Sequence, residues 1–562
     1  MARTISIGNQ SFADIREKGC FLVDKTSFIK EWWENRDPIT LITRPRRFGK
    51  TLNMNMLECF FSLKYADRSD LFEGLSVWND GSYRSIQGTY PVINMTFSAI
   101  KTSWFDAMAA GIRSKIVDLY EEFRFVTEGD LLSKGEKEQF RKLTMGETGA
   151  YDANSLQKLC GYLERYYGKK VIVLLDEYDA PMQEAWMHHY WDEAAQFLRG
   201  LFNATFKENT HLERAVITGV TRISKESLFS DLNNLKIVSI RSHLYTGCFG
   251  FTEEEVFAAM DEFGYTNKEE VRRWYDGFTF GEQTGIYNPW SVTSMLKEKG
   301  ETKAYWANTS SNALAGQLIR EGTAGLKKDF ETLLAGGSII SPIDEEIVFQ
   351  NMNASEAAVW SILLASGYLK AEKADEDVRS KKCRLELTNY EVQDLFEGLV
   401  GDWFSNGDAH YNDFIKALLM NDIRWMNRFM NDVALTTFSS FDSGTKPSDQ
   451  AEPERFYHGF VLGLLVELKD RYSVTSNRES GFGRYDVMLE PLDKAEDAAY
   501  ILEFKVMDRD AGEKTLEDTV QSALRQIDEK EYVTTLTAKG IPEDHIYRYG
   551  FAFEGKNVLI GA

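Results

Sequence analysis

The stretch that decides the fold is Leu41-Ile-Thr-Arg-Pro-Arg-Arg-Phe-Gly-Lys-Thr51. An apolar strand runs into a turn, then Gly49-Lys50-Thr51, then a helical run from Leu52. A phosphate-binding loop needs these parts in this order. Backbone N–H groups at a helix N-terminus cradle phosphate oxygens, a lysine reaches the terminal phosphates, and a hydroxyl ligates Mg2+. The candidate phosphate-binding residues are therefore Arg47, Phe48, Gly49, Lys50 and Thr51. The usual spacing is G-x-x-x-x-G-K-[ST], and Arg44 stands where the first glycine belongs. That glycine normally relieves backbone strain, so the motif taken alone is equally readable as coincidence.

Two further strands raise its weight. Val171-Ile-Val-Leu-Leu-Asp-Glu-Tyr-Asp179 is an apolar run ending in acids. In P-loop NTPases an Asp at this point holds Mg2+ through the Thr or its waters, which gives Asp176 and Thr51 the metal role. Glu177, beside it, is placed to polarise an attacking water. The bland alternative is an acidic turn after a buried strand. Ala215-Val-Ile-Thr-Gly-Val-Thr-Arg222 is the other strand. Thr218 is suited to sensing a terminal phosphate, and Arg222 to neutralising developing charge or to forming a surface ion pair. Arg44, Arg46 and Arg47 suit phosphate or nucleic acid, or simply a solvated basic loop.

Apolar runs at Thr40–Thr43, Pro91–Met95, Val171–Leu175 and Ala215–Thr218 alternate with amphipathic segments. Continuous apolar strands separated by helical patterns predict a parallel sheet covered on both faces, hence an α/β fold over residues 1–290. Residues 123–154 are polar and predict an excursion from that core. Residues 291–450 read as helical. Within them, Ala358–Leu369, a charged turn and an alternating strand at Cys383–Leu387 suit either a winged-helix-like module or a plain helical connector. Ser439–Glu454 reads as a linker, and a third domain occupies 451–562.

That last block carries Gly483-Arg-Tyr-Asp486-Val-Met-Leu489 and Tyr500-Ile-Leu-Glu-Phe-Lys505-Val506. On a strand, residues i and i+2 share a face, so Glu503 and Lys505 point together while Leu502, Phe504 and Val506 face the core. With Asp486 on a neighbouring strand, two carboxylates and a lysine suit a hard divalent ion and metal-assisted phosphodiester hydrolysis. An exposed E-x-K strand with no chemistry is the alternative. His458, in Arg455-Phe-Tyr-His-Gly-Phe, is placed either to approach the metal or at the edge of a core.

Together, RPRRFGKT, LLDEYDAP (Leu174–Pro181), TGVTRISKESLFSDLNNL (Thr218–Leu235) and YNPWSV (Tyr287–Val292) resemble the AAA-ATPase-like family, whose members tend to carry Arg at the first-glycine position. In that family the ATPase module is fused to a C-terminal PD-(D/E)XK-superfamily nuclease-like domain, and SNRESGFGRYD (Ser476–Asp486) resembles its pattern. The resemblance implies ATP with Mg2+ at the first site. At the second it implies Mg2+ or Mn2+ held by Asp486 and Glu503, with Lys505 completing the core and Gln526 and His458 as auxiliaries. It also implies a P-loop NTPase sheet and an α/β restriction-endonuclease-like domain.

The chain has 562 residues, 43% hydrophobic, with 65 Lys plus Arg against 87 Asp plus Glu. The composition is that of a globular protein and excludes collagen, a coiled-coil rod and a small disulfide scaffold. A net charge of −22 argues against a surface that coats nucleic acid everywhere. Over residues 452–562 the balance is 14 Lys plus Arg against 22 Asp plus Glu. This is unusual for a domain that grips phosphates, unless Arg478, Arg484, Lys505 and Arg509 form a local strip. Five scattered cysteines, no apolar leader and no span of about 20 apolar residues predict a cytoplasmic protein with reduced thiols and no membrane partner. The expected function is an ATP-binding and hydrolysing protein coupled to cleavage of nucleic acid, DNA before RNA, and able to form a homo-oligomer. The alternative is a nucleotide-dependent switch whose nuclease-like domain binds without cutting.

Overall fold

The structure is a computed structural model. It describes residues 3–147, 149–207, 209–222, 228–229, 232–306, 313–320, 324–334, 336–344, 355–373, 381–396, 411–437, 460–465, 468, 471–476, 479–480, 483–484, 487–494, 497–509, 512–530, 532–554 and 557–562. Asp486, His458 and the linker expected at 439–454 lie outside the described residues. The chain divides into two compact units, 1–315 with 338–393, and 316–337 with 394–562.

The first unit is built on β1 (Ile39–Thr43), β2 (Val92–Thr96), β3 (Val171–Asp176), β4 (Leu212–Gly219) and β5 (Leu235–Val238). They form one parallel sheet in the order β2-β3-β4-β1-β5. Every residue of β1 and β3 is buried. Such strands must be covered on both faces, which accounts for the apolar runs Leu41–Ile42 and Val171–Leu175 within them. The sequence pattern misses β5, because Leu235-Lys-Ile-Val238 sits at the sheet edge and only Val238 is fully buried. Register aligns the strand ends. Leu175 pairs with Ile217, and Thr43 with Gly219. The loops after β1, β3 and β4 therefore emerge side by side, at the edge where open parallel sheets place their ligands. The expected polar excursion contains a helix, Lys134–Thr144, started by a capping box between Ser133 and Glu136.

Beyond the sheet, β6 (Phe251–Thr252), β7 (Phe278–Phe280) and β8 (Gln283–Tyr287) make a small antiparallel sheet, ordered β6-β8-β7. A second one, ordered β10-β11-β9, joins β9 (Ile339–Pro342), β10 (Leu369–Lys373) and β11 (Lys382–Leu387). The helix Glu356–Ala365 precedes β10, giving the helix-then-strand-pair pattern read from the sequence.

The second unit centres on a five-stranded sheet. A two-stranded ladder, β13 (Glu479–Ser480) with β14 (Gly483–Arg484), lies outside it. The sheet joins β12 (Tyr472–Ser476), β15 (Val487–Pro491), β16 (Ala499–Val506), β17 (Ile546–Glu554) and β18 (Asn557–Gly561), in the order β12-β15-β16-β17-β18. Its two faces bury different partners. Tyr500, Leu502 and Phe504 cluster with Phe414, Met426 and Leu464, whereas Met488, Ala499 and Ile501 cluster with Ile527, Tyr532 and Leu536. The helix Ile423–Thr437 covers the open edge of β18 with two side-chain amides. Asn427 donates to Ile560 O at 2.8 Å and accepts from Ile560 N at 2.7 Å, and Asn431 does the same with Val558 at 2.7 and 3.0 Å.

All five cysteines are buried free thiols. Among the described residues, no helix is long and apolar enough to cross a membrane.

Candidate functional site

The loop after β1 reaches the helix Lys50–Phe61 through two left-handed residues, Arg47 (φ 68°) and Gly49 (φ 78°). Gly49 tolerates that conformation without a Cβ penalty, and it turns the first N–H groups of the helix toward the loop. Lys50 is 5% exposed, and its Nζ donates to the carbonyls of Arg44 and Pro45 at 2.9 and 2.8 Å. Burial lowers its pKa against the pull of Glu177, Asp176 and Asp179. Thr51 Oγ1 donates to Asp176 Oδ2 at 2.6 Å, and Thr218 Oγ1 donates to the other oxygen, Oδ1. The three strand ends thus converge on one carboxylate. A hydroxyl and a carboxylate side by side are hard oxygen donors, the set that suits Mg2+.

Glu177 follows in the left-handed region at φ 54°, a conformation a non-glycine residue keeps only when its surroundings enforce it. Burial raises its pKa despite Lys50 nearby. Asp179, two residues on, has a different task. Its Oδ2 accepts from Val220 N at 3.0 Å, Thr221 N at 2.8 Å, Thr221 Oγ1 at 2.8 Å and Gln183 Nε2 at 3.1 Å. It locks the end of β4 to the turn after β3.

A cavity of about 370 Å3 opens beside the loop, lined by Arg47, Phe48, Gly49, Lys50, Thr51 and Glu177. Its far wall comes from segments the sequence reading did not place there: Gly8 and Phe12 near the start, and Trp290 and Thr293 on the helix Pro289–Lys297. The guanidinium of Arg47 lies 4.1 Å from the Trp290 ring centroid, a cation–π pair that joins the two walls. The one sequence signal for this wall was YNPWSV.

Two expected arginines are placed elsewhere. Arg222 lines a separate small cleft with Thr43, Ser239 and Asp344. Arg44, read as a phosphate or nucleic-acid ligand or as part of a solvated loop, is instead completely buried. It donates to the carbonyls of Thr43 (2.9 Å) and Ser239 (2.7 Å), and its guanidinium lies 4.6 Å from the Phe280 ring centroid. Burial pulls its pKa down to about 10. The residue at the first-glycine position is therefore a strut from the loop to the segment after β5.

In the second unit, Glu503 and Lys505 share the face of β16 that Ala499 and Ile501 present to the helix Leu516–Glu529. Gln526 on that helix donates its amide to Glu503 Oε1, and Glu503 is 1% exposed. The approach depends on a glycine. Gly550 pairs with Glu503 across β16 and β17, and a Cβ there would stand 2.9 Å from Val520 O and 3.1 Å from Ala523 Cβ of the helix. Of the expected cationic strip, Arg509 is paired with Glu554 at 2.6 Å, and the side chains of Arg478 and Arg484 lie outside the described residues. Among the described residues no three His, Cys, Asp or Glu side chains gather as a metal site; Asp486 is not one of them.

These two architectures are a P-loop NTPase sheet and an α/β domain that carries an E-x-K strand. Residues 6–229 match the AAA-ATPase-like family model, described as predicted AAA-ATPase, and residues 452–562 match the PD-(D/E)XK nuclease superfamily. The chain therefore carries an AAA-ATPase-like region over residues 6–229 and a PD-(D/E)XK nuclease-superfamily region over residues 452–562. It is 27% identical over 579 residues to an uncharacterized protein in the vnfD 5' region of Azotobacter chroococcum mcd 1, covering 99% of this chain and 98% of that protein. The Aeropyrum pernix ORC2 protein, solved in ADPNP–ADP complexes, matches 67% of this chain and 92% of its own at 9% identity. Its TM-score is 0.23, and a likeness that loose carries no argument.

Proposed function

We propose that the first unit binds and hydrolyses ATP with Mg2+, and that the C-terminal domain hydrolyses phosphodiester bonds in nucleic acid, DNA before RNA. The observation that carries the ATP reading is the contact of Thr51 with Asp176 at 2.6 Å, beside Lys50 and a cavity with room for a ligand. Loop N–H groups and Lys50 hold the triphosphate, Thr51 and Asp176 hold the ion, and Glu177 orients water. The bound ion supplies neutralisation of phosphate charge. Burial raises the pKa of Glu177, which makes its carboxylate a stronger base.

At the second site, Glu503 and Asp486 are the proposed metal ligands. Lys505 stabilises charge on the phosphoryl group, Gln526 orients Glu503, and His458 is an auxiliary. What supports this is the amide of Gln526 on Glu503, because a carboxylate on a buried face needs partners to remain an ion there.

The test uses purified protein with Mg2+ or Mn2+ and varied DNA and RNA. Cleavage that Lys505→Ala abolishes supports the enzyme. Absence of cleavage under every condition supports the second reading, a nucleotide-dependent switch that binds without cutting. The acidic balance of residues 452–562, 14 against 22, and the engagement of Arg509 by Glu554 favour that second reading. Coupling of the two activities predicts that Lys50→Ala changes cleavage; equal cleavage by parent and variant, with and without ATP, refutes coupling.

A further inference from the structure

The two matched families leave residues 230–451 without an assignment, yet part of that stretch walls the phosphate-loop cavity. The motif Tyr287-Asn-Pro-Trp-Ser291 builds this wall residue by residue. Tyr287 OH donates to Glu253 at 2.9 Å and anchors the end of β8. Asn288 Oδ1 accepts from Trp290 N at 2.9 Å and caps the helix Pro289–Lys297. Pro289 occupies the first helical turn, where its missing N–H costs nothing. Trp290 then faces the cavity under Arg47 of the phosphate loop. Ser291, the next residue, points away from it and donates to both oxygens of Glu391, at 3.0 and 2.7 Å. Glu391 Oε1 also accepts from Trp306 N at 2.7 Å.

Glu391 is 0% exposed, and Ser291 is equally buried. A carboxylate removed from water this completely is costly unless its donors are fixed. It therefore holds the Pro289–Lys297 helix against the segment that follows β11 with little freedom to slide. We propose that Glu391 is a positioning residue for nucleotide binding: its carboxylate fixes Ser291, and so sets Trp290 and Arg47 in the wall of the cavity. The nucleotide site is then completed by chain 100 residues beyond Ser291, in the segment that follows β11. This rests on the reading that the cavity takes ATP.

The test is equilibrium binding of a fluorescent ATP analogue with MgCl2 to the full chain. The proteins are the parent, Lys50→Ala, Glu391→Ala, Glu391→Gln, Ser291→Ala, Trp290→Ala and the Trp290→Ala/Glu391→Ala double variant. Glu391→Ala is expected to weaken binding about tenfold, as expected for one well-formed buried contact. Glu391→Gln keeps an acceptor for Trp306 N and an amide for the Ser291 hydroxyl, so it is expected to stay within about twofold of the parent. The double variant should bind no more weakly than Trp290→Ala, since both changes remove one device; independent structural damage would add. Additive losses, or parental affinity in Glu391→Ala, overturn the proposal. If Glu391→Ala melts below the assay temperature, Ser291→Ala carries the same cycle against Trp290→Ala. Parental affinity there, or losses that add, overturns the proposal equally. A parent that binds no better than Lys50→Ala sinks the ATP reading itself, whereas a parent that binds while the cycle adds sinks only the role of Glu391.

Discussion

Asp179 separates a structural acid from a chemical one within the run Asp176-Glu-Tyr-Asp179, and its replacement has a computable cost. One oxygen, Oδ2, receives four donors, two of them the backbone N–H groups of Val220 and Thr221 at 3.0 and 2.8 Å. In Asp179→Ala the Thr221 hydroxyl and the Gln183 amide can turn elsewhere, but the two N–H groups cannot. Both belong to buried residues. Each stranded donor costs about 1–3 kcal/mol, giving roughly 4 kcal/mol for the pair. A domain of 150–250 residues loses about 2–4 °C per kcal/mol and a larger unit less, so the transition of the first unit should fall by about 5–8 °C. Asp179→Asn retains an acceptor oxygen and should cost about 1–2 kcal/mol, the charge-assisted part alone. The assay is differential scanning calorimetry of the full chain at one scan rate, following the transition that an ATP analogue displaces. Equal transitions for Asp179→Ala, Asp179→Asn and the parent would refute the reasoning, because the four contacts could then not be holding β4.

Three other expectations follow from contacts at a distance from one another. Burial raises the pKa of Glu177, so the folded state holds its proton more tightly than the unfolded chain. The stabilisation this brings is complete below the unfolded value of 4.5 and is lost as pH rises through the folded value. Glu177→Gln, which does not titrate, should therefore melt above the parent at pH 8, the gap closing below pH 4.5; a variant less stable than the parent at pH 8 contradicts this. Gly550→Val places side-chain atoms where Val520 O and Ala523 Cβ already stand and should push the Leu516–Glu529 helix off β16. The expected readouts are a lower melting temperature by an overpacking cost of about 1–3 kcal/mol and faster hydrogen exchange at Gln526; unchanged exchange there counts against the glycine argument. Asn427→Ala with Asn431→Ala strips the amides from the β18 edge. It should speed exchange at Val558 and Ile560 and promote edge-to-edge association, visible by light scattering; protection equal to the parent would show that the amides do not shield the edge.

The strands, the loop and the E-x-K face were legible in the sequence because each is a local pattern. β1 and β3 are buried on both faces and so carry mainly apolar residues, with only Thr40, Thr43 and Asp176 polar. Thr51 and Asp176 were legible because each stands at a fixed offset from such a strand. β16 alternates Leu502 and Phe504 against Glu503 and Lys505, and the structure packs the first pair in the cluster with Phe414 while Glu503, on the other face, meets Gln526, as strand periodicity requires.

What only the tertiary structure decided depends on pairings far apart in the chain. Arg44 reads as a surface cation beside Arg46 and Arg47, but its carbonyl partner at Ser239 lies 195 residues away, and no local pattern announces it. The wall formed by Trp290 faces Arg47 only after the sheet and the β6–β8 hairpin region have folded, and Glu391 is defined by Ser291, 100 residues earlier. Asp176 and Asp179 are the same residue type three positions apart. One meets Thr51 and Thr218, the other the backbone of Val220 and Thr221. Sequence fixes which groups can accept hydrogen bonds; the donors that reach them are set by how the strand ends are stacked, and that stacking is a property of the assembled sheet.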